Sequence, residues 1–125
     1  MADLIDHEAL EIFLRDEIDN NMKLAYDLLE VFADYTQELE NYDVQSTAQN
    51  LNRLREMSHR LKSSCHSFGA QALLTELEVL EKVSGSGDYE RSKQSLNLAQ
   101  ALSQKTIQRL RVLLREYQTK GAKSA

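Results

Sequence analysis

Residues 46–69, STAQNLNRLREMSHRLKSSCHSFG, decide the fold. Leu54, Ser58, Leu61, Cys65 and Phe68 recur at steps of three and four, so at about 100° per residue they share one helix face. Ser46-Thr47-Ala48-Gln49 matches a capping box near the start, and Gly69 supplies the stop. The helix is expected over 45–68.

The same periodicity runs outward in both directions. A short first helix, about 7–16, starts after Asp6 as cap and carries Ala9, Leu10 and Phe13. A second, about 20–42, begins near Asp19 or Asn20 and carries Met22, Ala25, Leu28, Leu29, Phe32, Tyr35, Leu39 and Tyr42. Beyond Gly69, Leu73, Leu77, Leu80 and Val83 mark a helix over 70–84. It ends in Ser84-Gly85-Ser86-Gly87, the one stretch with flexible-linker composition. Asp88 then caps a long last helix, 88–118, carrying Leu96, Ala99, Leu102, Thr106, Leu110, Leu113 and Tyr117, and 119–125 should fray. Four amphipathic helices on short connections predict an all-α, antiparallel up-down four-helix bundle, with the short N-terminal helix as a lid on one end.

Composition agrees. The chain has 125 residues, no Pro, four Gly, 42% hydrophobic and 28% charged residues, enough for one self-sufficient domain over 1–125 and too little turn chemistry for a β sandwich or barrel. A lone Cys65 makes no internal disulfide, the N-terminus is acidic where a secretory signal would be basic, and no apolar run reaches the ~20 residues that span a bilayer. A cytoplasmic, free-standing protein is expected, and the lack of an exposed leucine seam predicts a monomer. The net charge of −5 divides unevenly: Met1 to Asp43 holds 13 acidic and 2 basic residues, the remainder 7 acidic and 13 basic. The asymmetry fits either attraction that helps the N-terminal helices dock or, at least as well, simply solvated helix faces, and the acidic total argues against nucleic acid.

Function is sought among polar residues that the bundle core does not use. His59 lies roughly 135° from the Leu54–Phe68 stripe and should face solvent. Arg55, Lys62, Ser63 and His66 point into the same sector. Small residues Ser63, Ser64 and Cys65 near an imidazole let a partner approach its ring nitrogen. Lys62, one turn on, is placed to neutralise a phosphoryl group carrying about −1.5 to −2 charges. Phosphoryl transfer needs mainly in-line positioning and charge neutralisation, and an unperturbed imidazole is largely neutral at pH 7, leaving one nitrogen for attack. His59 and His66, seven residues apart, lie ~10.5 Å apart along the axis, too far to share a metal, and no metal site is expected.

The run from His59 to Ala70 resembles the histidine phosphotransfer (HPt) signature: Leu61 at the second position after His, Lys62 at the third, small residues next and Gly69 at the tenth. Leu73, Leu80 and Glu81 continue the pattern, and Lys62-Ser63-Ser64-x-x-Ser67-Phe68-Gly69-Ala70 is similar to the LuxU type from quorum-sensing relays. The resemblance implies that His59 takes a phosphoryl group from a receiver-domain phospho-Asp and passes it to the Asp of another receiver. Lys62 would stabilise the group, with Arg55, Ser63 and His66 as partner contacts and Leu61, Ser64, Phe68 and Gly69 as structural positions. Ser63 stands where the family often has Gly. No bound cofactor is implied, because the receivers of a hybrid sensor kinase and a response regulator would bring the Mg²⁺.

Two other classes compete. An autonomous kinase or phosphatase lacks support, since the four Gly are too dispersed for a phosphate loop. A helical adaptor that binds receivers without accepting phosphate would tolerate loss of His59. Partner contacts are also expected from Ile5, Leu10, Ile12 or Phe13, whose number exceeds what one buried stripe absorbs.

Overall fold

The computed structural model describes residues 3–124 and is all-helical among them. Helix α1 (His7–Ile12) runs into a π-helical turn (Phe13–Glu17), followed by α2 (Met22–Glu40), α3 (Ala48–Phe68), α4 (Gln71–Gly85) and α5 (Tyr89–Ser124). Helices α2 to α5 form the bundle, joined by short reversals, and α1 packs on α3. Leu54, Ser58, Leu61, Cys65 and Phe68 are all buried, as their spacing requires, and so are Leu73, Leu77, Leu80 and Val83 on α4.

Several boundaries differ from expectation for local reasons. Asp6 caps α1, accepting from Ala9 N–H at 3.2 Å, but the α-helix ends at Ile12 and continues as a π turn in which Ile18 N–H donates to Phe13 C=O. The extra residue in that turn lets the consecutive Phe13 and Leu14 both reach the core. Asp19 and Asn20, near which α2 is expected to begin, take left-handed conformations at φ 55° and 58°, and Asn21 is the cap. On α3 the cap is Thr47, whose hydroxyl accepts from Asn50 N–H at 3.2 Å; the capping box lies one residue off. The Ser84–Gly87 stretch is no flexible linker, because Ser84 and Gly85 complete α4 and Gly87 closes a tight turn onto Asp88. Asp88 accepts from Arg91 N–H at 3.1 Å. Helix α5 then continues through Ser124, so the tail expected to fray from 119 is helical as far as it is described.

Ile5, Leu10 and Phe13, expected to face a partner, are core residues, and only Ile12 of that group is exposed. Phe13 packs edge-on to Phe68 at 5.2 Å, and Phe32 stacks on the same ring at 5.7 Å. This triple contact ties the N-terminal lid, α2 and the end of α3 into one corner. Gly69, at φ 69°, turns the chain there, and its carbonyl accepts from Asp6 N–H at 2.7 Å. A Cβ at Gly69 would stand 2.5 Å from the Asp6 carbonyl oxygen, whereas one at Gly87, also at positive φ, would meet nothing.

The two glycines therefore separate backbone preference from close approach. Gly87→Ala should cost only the left-handed penalty of about 1–2 kcal/mol. Gly69→Ala adds the displaced lid and should cost about 3 kcal/mol, lowering the melting temperature by about 10 °C. Thermal melts of the two variants check this; equal losses would remove the lid contact from the account.

Candidate functional site

His59 sits near the middle of α3, one residue past the buried Ser58, and its side chain is 70% exposed. Ser58 turns its hydroxyl back to Leu54 C=O at 2.8 Å, so the core side of this turn is small and internally satisfied. Across the hairpin, Glu81 lies one residue past the buried Leu80 of α4, at the margin of the packed stripe and only 23% exposed. Its carboxylate joins the two helices. Oε1 lies 2.9 Å from His59 Nδ1, and Oε2 lies 2.7 Å from Lys62 Nζ.

That geometry fixes a tautomer. An ionised carboxylate only accepts, so His59 Nδ1 must carry the proton and donate it. In the neutral ring the lone pair then belongs to Nε2, the nitrogen opposite the anchored one. Glu81 is kept ionised by its donors: the hydrogen bond from Lys62 pulls its pKa down most, that from His59 assists, and partial burial opposes both. Lys62, 26% exposed, is thus stored on Glu81 one turn from the imidazole.

The other expected site residues separate into groups. Arg55 reaches back to Asn52 Oδ1 at 3.2 and 3.1 Å and packs along Gly85, on the α4 side of the His59 ridge. Ser63 is exposed, with its hydroxyl on Arg60 C=O, and half-buried Ser64 lies beside it. Both line a shallow depression of about 150 Å³ with Phe13, Leu28, Val31, Ser67 and Phe68, where α2 meets α3. Val31, in the lining of that depression, is 47% exposed, and Leu24 and Ile12 are also exposed apolar side chains on α2 and α1. His66 is exposed farther along α3, while Leu61 and Phe68 are buried and Gly69 closes the helix. Cys65 is buried, which pushes its thiol up to about 12 and leaves it no nucleophilic role at neutral pH.

Glu81 is the residue whose part was missed. It was legible as a continuation of the motif, and the Leu77-Leu80 spacing puts it at the stripe's edge. Its partners depend on the register of α4 against α3, which neither helix encodes alone. Because its folded pKa is lowered from 4.5, the stability it contributes is present above that pH and lost as pH falls through the lowered value. Glu81→Gln should therefore be less stable than the parent at pH 6, with the gap closing toward pH 3. Urea unfolding at both pH values measures it, and a gap independent of pH would refute the ionised bridge.

A family model described as Hpt domain matches residues 8–118. No curated protein and no solved structure gave a match. The match spans the π turn, the whole of α2, α3 and α4, and most of α5, and includes His59, Lys62 and Glu81. The chain belongs to the histidine phosphotransfer (Hpt) domain family, whose members are phosphocarriers of phosphorelays that interact with receiver domains of kinases and response regulators.

Proposed function

We propose that His59 is the phosphoacceptor, taking a phosphoryl group from a receiver phospho-Asp onto Nε2 and passing it to the Asp of a second receiver. The observation that carries this is the Glu81 contact at 2.9 Å, which holds the proton on Nδ1 of a largely exposed imidazole. In the first transfer the Nε2 lone pair attacks phosphorus, the P–O bond to the aspartyl carboxylate breaks, and the carboxylate leaves with the electron pair. The ring keeps its Nδ1 proton and becomes positively charged, directly opposite the Glu81 carboxylate. The same proton makes the ring a good leaving group when the second receiver's carboxylate attacks in turn.

Lys62 serves the arriving charge. Released from Glu81, its ammonium moves to the phosphoryl oxygens, where about −1.5 to −2 charges now sit. Glu81 meanwhile retains a cationic partner, because the ring has gained the charge that Lys62 removed. The exchange keeps each charge compensated while the phosphoryl group is held.

The receiver is proposed to cover the α2 side of the ridge, seated on the depression beside Ser63, Ser64 and Ser67 and on exposed Val31, Leu24 and Ile12. Side chains that small leave room for close approach to His59. The metal and the second nucleophile come with the receiver, so this chain needs no cofactor of its own and acts as a monomeric carrier. Among the described residues no helix is long and apolar enough to cross a membrane, and the exchange is assigned to the cytoplasm, where receivers work.

Incubation with a phosphorylated receiver should give acid-labile, alkali-stable label on the parent and none on His59→Gln. Lys62→Ala should transfer about tenfold more slowly at unchanged helical content. Label on His59→Gln equal to the parent would move the acceptor elsewhere, and equal rates for Lys62→Ala would remove the lysine from the mechanism.

A further inference from the structure

Arg60 follows His59 in the chain and turns the other way from Lys62, toward α2. Its guanidinium carbon lies 4.8 Å from the centroid of the Tyr35 ring, and its Nη2 lies 3.5 Å from Glu38 Oε2. The other oxygen of Glu38 accepts from Arg53 Nη2 at 3.0 Å. Two guanidiniums thus share one carboxylate, and the clip carries a surplus positive charge. The imidazole stands between two anchored cations, Lys62 stored on Glu81 to one side and Arg60 held by Glu38 and Tyr35 to the other.

Position along α2 gives this clip its meaning. Leu28, Val31, Tyr35 and Glu38 recur at three- and four-residue steps, so the apolar depression and the clip are consecutive parts of one seam. A partner that covers the depression to reach His59 lies beside the clip. At this exposure the ion pairs add little to stability. They do restrict a long side chain next to the phosphoacceptor, and a planar guanidinium already stacked and paired loses less freedom when a new partner arrives.

We infer that Arg60 determines which receivers are served. A docked receiver presents a carboxylate to the open edge of the Arg60 guanidinium, completing a square of two guanidiniums and two carboxylates with Arg53 and Glu38. A receiver without a carboxylate at that point leaves the surplus charge unmatched and docks weakly. Arg60 does not touch the phosphoryl group; it positions the partner that does. The inference rests on His59 being the acceptor.

Receiver domains charged with acetyl phosphate serve as probes, one that transfers well to the parent and one that transfers poorly, with phosphoramidate as a donor that needs no docking. Arg60→Ala should raise KM for the good receiver about tenfold with kcat within about twofold, and narrow the difference between the two receivers. Arg60→Lys should recover part of the loss, and the effect should fade in 1 M NaCl. Tyr35→Leu, which keeps the charge but removes its platform, should raise KM in the same direction by less. Unchanged KM in Arg60→Ala, or a fall in kcat at constant KM, would overturn the inference. Labelling of His59 by phosphoramidate should be equal in parent and Arg60→Ala; no label on the parent's His59 would instead overturn the phosphoacceptor assignment.

Discussion

The register between α3 and α4 is the constraint on which the site depends, and the backbone at Gly69 sets it. A left-handed turn there, with the Asp6 N–H on its carbonyl and no room for a Cβ, sends α4 back along α3 so that Leu73, Leu77 and Leu80 meet the Leu54–Phe68 stripe. Glu81 then arrives opposite His59, 22 residues away in the chain. Rotation of α4 by one residue, about 100°, would carry the carboxylate away from the imidazole and put a different side chain in its place. The geometry of the site is a consequence of core packing, with one carboxylate at its edge.

That carboxylate does two jobs in a single site, one with each oxygen. In the proposed relay, holding Nδ1–H leaves Nε2 as the nucleophile, and holding Lys62 keeps a cation close without blocking the ring. A site with Lys62 alone would have a cation near the imidazole and nothing to choose the tautomer. A site with Glu81 alone would repel the incoming phosphoryl group. In the proposed relay Lys62 compensates the arriving phosphoryl charge and Glu81 the new charge of the ring, while the Nδ1 proton stays in place.

Much of this was legible in the sequence. Core stripes follow from spacing, and the exposure of His59 follows from its angle to a stripe whose members are all buried. What the spacing does not contain is the relation between helices. Ile5, Leu10 and Phe13 looked surplus to one stripe, yet Phe68 offers both an edge for Phe13 and a face for Phe32, so the lid is absorbed into the core. Cap positions were off by one or two because Asp19, Asn20 and Asn21 are all competent caps, and the π turn decides which of them begins α2. The opposite charges of the two halves reappear as exposed pairs, Glu38 with Arg53 and Arg60 and Glu30 with Arg111. At this exposure they add little to stability.

The central claim is that Glu81 assigns the proton of His59 to Nδ1 and leaves Nε2 as the attacking atom. Nitrogen-15 NMR of imidazole-labelled protein, at a pH where the ring is neutral and again after phosphorylation, tests it directly. The account predicts the Nδ1–H tautomer in the free protein and phosphorus–nitrogen coupling to Nε2 in the phosphorylated one, with Glu81→Gln shifting the free ring toward a mixture. A parent His59 in the Nε2–H tautomer, or a phosphoryl group on Nδ1, would contradict it.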